Sequence, residues 1–274
     1  MTPADLFPHA AGWVHNLQYV WPAYIIKPQF ASWEVFHILS LIVLGGTSVL
    51  LNLRLIGVGL TNEPPSEIYR NLRLWINFGV IGIVGSGVLI GMANAERLYN
   101  SNAFTVKILA LVAGVIFTYG VSGPVARADG LVGRSAKAWL IAGLAVFLFG
   151  IWVFCTSRLI NPGMFHVLTA AALIVLFVTP GRAKWVYLAV LMVLLVAQWV
   201  GSHIVVHQSD FKHLDPVNKG FAVVFAVWIL GFAGYQLFAV KRGPQSPPLT
   251  QAIGYLSILV WIVAAAAGRW IAFA

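Results

Sequence analysis

"WEVFHILSLIVLGGTSVLLNLRLIGVGL", residues 33–60, decides how the chain is read. From Val35 to Gly59 the only ionisable side chains are His37 and Arg54. A helix needs roughly 20 mostly apolar residues to cross the hydrocarbon core of a bilayer, so this run predicts a membrane span. It opens on an ionisable pair, Glu34 and His37, three residues apart and therefore on one helical face.

The composition agrees with that reading along the whole chain. Sixty per cent of 274 residues are hydrophobic and nine per cent are charged, too few charges to cover a soluble domain of this length. The net charge of +9 is then read as Lys and Arg at the membrane surface, and no basic stretch interleaved with aromatics argues for nucleic acid. The single cysteine, Cys155, excludes an intrachain disulfide and a cysteine-based zinc cluster.

Eight windows qualify as spans, at about 35–59, 73–95, 104–123, 138–157, 163–180, 185–207, 219–240 and 251–273. Turn-forming segments separate them, among them "TNEPPSE", "GPVARADG", "TPGRAK" and "RGPQSPP". The expected fold is an all-α, polytopic transmembrane helix bundle of about eight spans. Gly87 and Gly91 of the second window have the small-xxx-small spacing of close helix packing.

The step Phe36-His37 opens the first window and Phe165-His166 opens the fifth. Two four-helix repeats related by an axis along the membrane normal would give that echo, and so would coincidence in an apolar sequence. On this reading residues 1–32 form an interfacial N-terminal segment, 33–157 a first four-helix half and 158–274 a second. The N-terminal segment lacks the basic start and apolar run of a cleavable signal. Its Trp13, Tyr19, Trp21 and Tyr24 suit the headgroup region. Ten Lys and Arg fall on the side of the loops after odd-numbered windows and seven on the other, which sets both termini on the non-cytoplasmic side.

All seven histidines then share that non-cytoplasmic side: His9, His15, His37, His166, His203, His207 and His213. An ionisable group inside a span costs a few kcal/mol, so each needs a partner or a use. His37 and His166, at matched depth on separate helices, suit the axial ligands of a b-type haem, with Glu34 behind His37 and Arg158 and Arg269 for the propionates. His203 and His207, at i and i+4, suit a copper site with Met92, Met164 or Cys155 as soft ligands. The bland readings stand beside these: histidines bonded to neighbouring helices, and arginines that snorkel to lipid phosphate. There is no HExxH motif and no serine-nucleophile motif, and the window middles are almost wholly apolar apart from Asn77 and Gln198.

Three stretches carry a family resemblance: residues 33–60, "LWINFGVIGIVGSGVLIGMANAERLYNSNAFTVKILALVAG" and "GYLSILVWIVAAAAGRWIAFA". They resemble an uncharacterised bacterial family of four-helix membrane proteins that opens on Glu-x-x-His, with about four helices added here. The matching positions are Glu34, His37, Asn102, Ala103, Phe104, Lys107, Gly268 and Arg269. The resemblance implies a bacterial cytoplasmic (inner) membrane protein and no settled activity. The histidine placement also broadly resembles membrane cytochromes b and copper-resistance membrane proteins. Three functions are expected. The first is a b-type haem protein passing electrons between a membrane quinone and a redox partner protein outside. The second is a copper-handling membrane protein, and the third a non-catalytic subunit of a larger membrane complex.

Overall fold

The computed structural model describes residues 1–156, 160–206 and 211–271. Regular structure among these residues is helical. Eight long helices stand where the apolar windows predict them: α1 (Phe30–Ile56), α2 (Pro65–Ala93), α3 (Asn102–Val115), α4 (Arg134–Thr156), α5 (Ile160–Val178), α6 (Ala183–Val200), α7 (Phe211–Ala239) and α8 (Pro248–Trp270). Seven of them are long and apolar enough to cross a membrane, which fits a multi-pass membrane protein. In α5 the apolar stretch among described residues is Val167–Val178, shorter than a span.

Local chemistry sets the ends. α1 stops at Gly57, whose φ of 83° is the left-handed conformation that glycine adopts without a Cβ clash. Gly57 N–H bonds to Arg54 O and Val58 N–H to Leu53 O, a Schellman pair that satisfies the last carbonyls. α2 and α8 each begin with proline at the first helical position, where a missing N–H costs nothing. The Ser101 hydroxyl caps α3 through Phe104 N–H. α3 passes through a π-helical stretch, Ile116–Ser122, before a last turn, Gly123–Arg127, that contains Pro124. A proline ring cannot donate to the preceding turn, which accounts for a widened helix there.

By compactness the chain divides into Met1–Arg158 with Arg242–Ala274, and Leu159–Lys241. The first unit therefore holds α1 to α4 together with α8, where division by chain order sets α8 with α5 to α7. Within it α1 packs on α2 and α8, and α3 packs on α8 and α4. Gly79 of α2 lies against the backbone of Leu44, and Gly254 of α8 lies against Asn52 O. Small residues at such seams let helices approach where no hydrophobic effect drives them together. The α1–α2 seam closes at Gly79 and Gly82, nearer the middle of α2 than the Gly87 and Gly91 pair. Gly91 faces Leu98 of the following short helix, and Gly87 faces His37.

The N-terminal segment forms short helices, Pro3–Leu6, Ala11–Leu17 and Ala23–Ile26. Val14 packs with Ala95 and Tyr99, and Tyr99 O–H donates to Phe7 O. Trp13, Tyr19, Trp21 and Tyr24 remain exposed on its outer side.

The second unit, α5 to α7, is built on Ala172, Val175, Tyr187, Leu191, Phe225 and Ile229. Tyr187 is fully buried; its hydroxyl donates to Ala172 O at 3.2 Å and its ring lies against Trp228 and Phe232. A buried tyrosine needs such an acceptor for its O–H.

Candidate functional site

Two ionisable side chains, His37 and Lys107, meet between the long helices of the first unit. His37 is seven residues into α1 and Lys107 five residues into α3. Ser86 lies seven residues before the end of α2. At 1.5 Å per residue each is about 8–10 Å from its helix end. The three helices present these groups to one another at one level.

His37 Nδ1 is 2.8 Å from Ser86 Oγ, and His37 Nε2 is 3.2 Å from Lys107 Nζ. Ser86 O–H donates to Gly82 O, a carbonyl one turn earlier in α2. A hydroxyl has one proton, so Ser86 must accept from His37 Nδ1–H. That tautomer leaves Nε2 as the acceptor for a Lys107 N–H. The chain thus runs in one direction, from Lys107 through His37 and Ser86 to the Gly82 carbonyl. Two glycines make room for it. A Cβ on Gly87 would stand 3.3 Å from His37 Cε1, and one on Gly268 would stand 3.5 Å from Lys107 Cε.

Glu34 takes no part in this chain. It is exposed on α1, and His37 is held by Ser86 and Lys107. Arg269 sits in the last turn of α8, exposed, one residue beyond the glycine that receives Lys107.

His203 belongs to the second unit, in the π-helical turn Gly201–Val205 that ends α6. Its Nδ1 is 3.0 Å from Trp199 O, and a carbonyl can only accept, so Nδ1 carries the proton and Nε2 is the remaining acceptor. The ring stacks on the Trp199 indole at 5.2 Å. Beside it Gln198 Nε2 donates to Ser202 Oγ and to Asn218 Oδ1, tying α6 to α7. The expected ligands His207 and Arg158 lie outside the described residues. His166 is on α5, in the second unit, and its side chain is also outside them.

Among the described residues no three His, Cys, Asp or Glu side chains gather as a metal site would require. The haem reading fits His37 at one nitrogen: Nδ1 is anchored by a hydroxyl, as the free nitrogen of a ligating imidazole is. At the other nitrogen it fits only if Lys107 withdraws, because the ammonium holds Nε2.

Lys107 and Ser86 are the site residues that reading from the sequence missed as partners. Lys107 stands among the matched family positions, and nothing along the chain pairs it with His37. Ser86 is one of many small residues in an apolar helix and carries no signal of its own.

A family model described as a family of unknown function, DUF6644, matches residues 24–165, and the chain belongs to that family. The matched stretch contains Glu34, His37, Ser86 and Lys107 and stops short of His166, His203, His207 and Arg269. No curated protein and no solved structure matches the chain.

Proposed function

We propose that the protein is a membrane electron-transfer protein whose working centre is the Lys107–His37–Ser86 chain, and that the centre binds the carbonyl head of a membrane quinone on the non-cytoplasmic side. One observation carries the reading. A lysine and a histidine are hydrogen-bonded to each other about two turns inside the spanning helices, and their chain ends on a backbone carbonyl and not on a carboxylate. Ionisable residues held at such depth mark ligand or proton pathways by default. An ammonium without an acid in its chain is satisfied by a ligand oxygen.

In this reading Lys107 N–H donates a hydrogen bond to the quinone oxygen, keeps its proton, and stabilises the negative charge that oxygen gains as an electron arrives. The electron would come from a redox partner protein. His37, fixed by Ser86, keeps the ammonium aimed. The test is titration of the purified protein in detergent with ubiquinone and menaquinone analogues, read by quenching of tryptophan fluorescence. Saturable binding that weakens about tenfold or more in Lys107→Met and His37→Ala supports the site; a tenfold change corresponds to about 1.4 kcal/mol. Wild-type protein that binds neither analogue, or variants that bind as well as wild type, overturns it.

The anchored Nδ1 of His37 favours a second reading, in which Nε2 would hold the iron of a b-type haem. Bound haem would supply one-electron chemistry, and Lys107 would turn to a propionate or a quinone. Oxidised and reduced absorption spectra test it. A Soret band that shifts or disappears in His37→Ala supports ligation, and a colourless preparation from haem-replete cells removes it.

A further inference from the structure

The N-terminal segment and the turn after α2 flank an open polar recess of about 360 Å³, room for on the order of ten waters. Gln18, Lys27, Asn94, Glu96, Arg97 and Asn100 line it. We propose that this recess binds the phosphodiester of a membrane lipid, clamped between Lys27 and Arg97. The proposal is independent of the quinone reading, since none of these side chains belongs to the His37 chain.

The walls are built and not merely adjacent. Val14, Ala95 and Tyr99 pack the segment onto the turn, and the Tyr99 hydroxyl fastens it to Phe7 O. Lys27 Nζ donates to Gln18 Oε1 at 2.9 Å, which holds the ammonium over the recess and leaves two of its three N–H groups for other acceptors. That same bond turns the Gln18 amide so that its NH₂ remains a donor. Arg97 Nη2 donates to Ile271 O at 3.2 Å, which steadies a guanidinium with five N–H groups in all. Asn100 Nδ2 donates to Glu96 O at 3.0 Å and Asn94 Nδ2 weakly to Ile90 O at 3.4 Å. The one carboxylate, Glu96, has its Oε2 3.4 Å from His15 Nδ1, so an imidazole stands beside its charge. A lining of two cations and several amide donors beside one acid suits an anion with several acceptor oxygens. A phosphodiester has that shape, and a guanidinium meets it with two parallel N–H groups.

The level points to a lipid as the source. The recess lies where α2 ends at Ala93 and α3 has yet to start at Asn102. The same N-terminal segment exposes Trp13, Tyr19, Trp21 and Tyr24, residues that settle among headgroups. At that depth lipid phosphate is the densest anion.

The test uses full-length protein freed of lipid in a phosphate-free maltoside detergent and follows its thermal midpoint. The additives are short-chain phosphatidylglycerol, short-chain phosphatidylcholine, diacylglycerol of the same chains, and inorganic phosphate. Both phospholipids are expected to raise the midpoint by about 2–4 °C and diacylglycerol is not. The rise should disappear in Lys27→Gln with Arg97→Gln and return with Lys27→Arg and Arg97→Lys. Lys27 and Arg97 are exposed, so the neutral pair should fold; were it not to, quenching of tryptophan by brominated phosphatidylglycerol against brominated diacylglycerol decides on wild type alone. A full rise with inorganic phosphate alone overturns the lipid assignment in favour of a free-phosphate site. An equal rise with diacylglycerol, or no rise with either phospholipid, overturns the site altogether.

Discussion

Lys107 Nζ stands 3.2 Å from His37 Nε2, although the two residues are 70 positions apart and both lie on helices that span the membrane. The contact joins α1 to α3, and Ser86 extends it to α2. Such interhelical bonds in lipid contribute about 0.6 kcal/mol on average and up to about 1.7. Lys107→Met and His37→Ala should each lower the unfolding free energy by about 1 kcal/mol. In a double-mutant cycle the pair should couple by about 0.6–1.7 kcal/mol. Reversible unfolding in mixed micelles measures both. Strictly additive losses would mean that the two side chains do not bond.

At the opposite end of the same unit Arg54 is 5% exposed. Its Nε donates to Glu63 O at 2.6 Å, and its Nη2 donates to the Gln245 side chain. One guanidinium thus holds both the turn after α1 and the turn before α8. Arg54→Met removes charge-assisted bonds worth about 1.5–3 kcal/mol and strands their acceptors. Arg54→Lys should rescue little, because an ammonium is a single point donor where two directions are required. Limited proteolysis measures this: cleavage within 57–64 and 242–247 should quicken in both variants, more in Arg54→Met.

Much of this architecture is legible in the apolar pattern, because lipid imposes it on each helix separately. The first window, 35–59, became Phe30–Ile56, and the eighth, 251–273, became Pro248–Trp270. α2 starts at Pro65, well before its window at 73, because Tyr69, Arg70 and Asn71 continue the helix outside the apolar run. The site was legible only in part. His37 announces itself as an ionisable group in an apolar helix, but periodicity along one helix says nothing of register between helices. Glu34, the local candidate at i−3, is exposed, and the actual partners are Ser86, 49 positions away, and Lys107. Arg54 illustrates the same limit: it reads as a loop charge and is buried by tertiary packing.

The α1–α2 seam predicts opposite outcomes for one kind of substitution. A Cβ on Gly79 would lie 2.6 Å from Leu44 Cβ and 2.8 Å from Leu44 Cα, backbone that no rotamer change can move. Gly79→Ala should cost about 1–3 kcal/mol by forcing the helices apart. Gly45 of α1 has nothing within 4 Å of the same added atom. Gly45→Ala should be neutral or stabilise by up to about 1 kcal/mol, through helix propensity alone. Paired thermal melts of the two variants decide it, and equal destabilisation would mean that Gly79 does not sit at the seam.

The second unit offers a polar test of its own packing. Gln236 is fully buried in α7, and its Nε2 donates to Val175 O at 3.1 Å and to Thr179 Oγ1 at 2.5 Å, both on the α5 side of the unit. Thr179 O–H in turn donates to Val175 O. Gln236→Leu removes the bonds to Val175 O and to Thr179 and should cost about 1–2 kcal/mol. Thr179→Val removes the shared bond and its own bond to Val175 O and leaves Gln236 its carbonyl acceptor, so its cost should be of similar size. Because the two side chains share a bond, the double variant should lose less than the sum of the single losses. Single losses that add fully would show that the Gln236 and Thr179 side chains do not bond to each other.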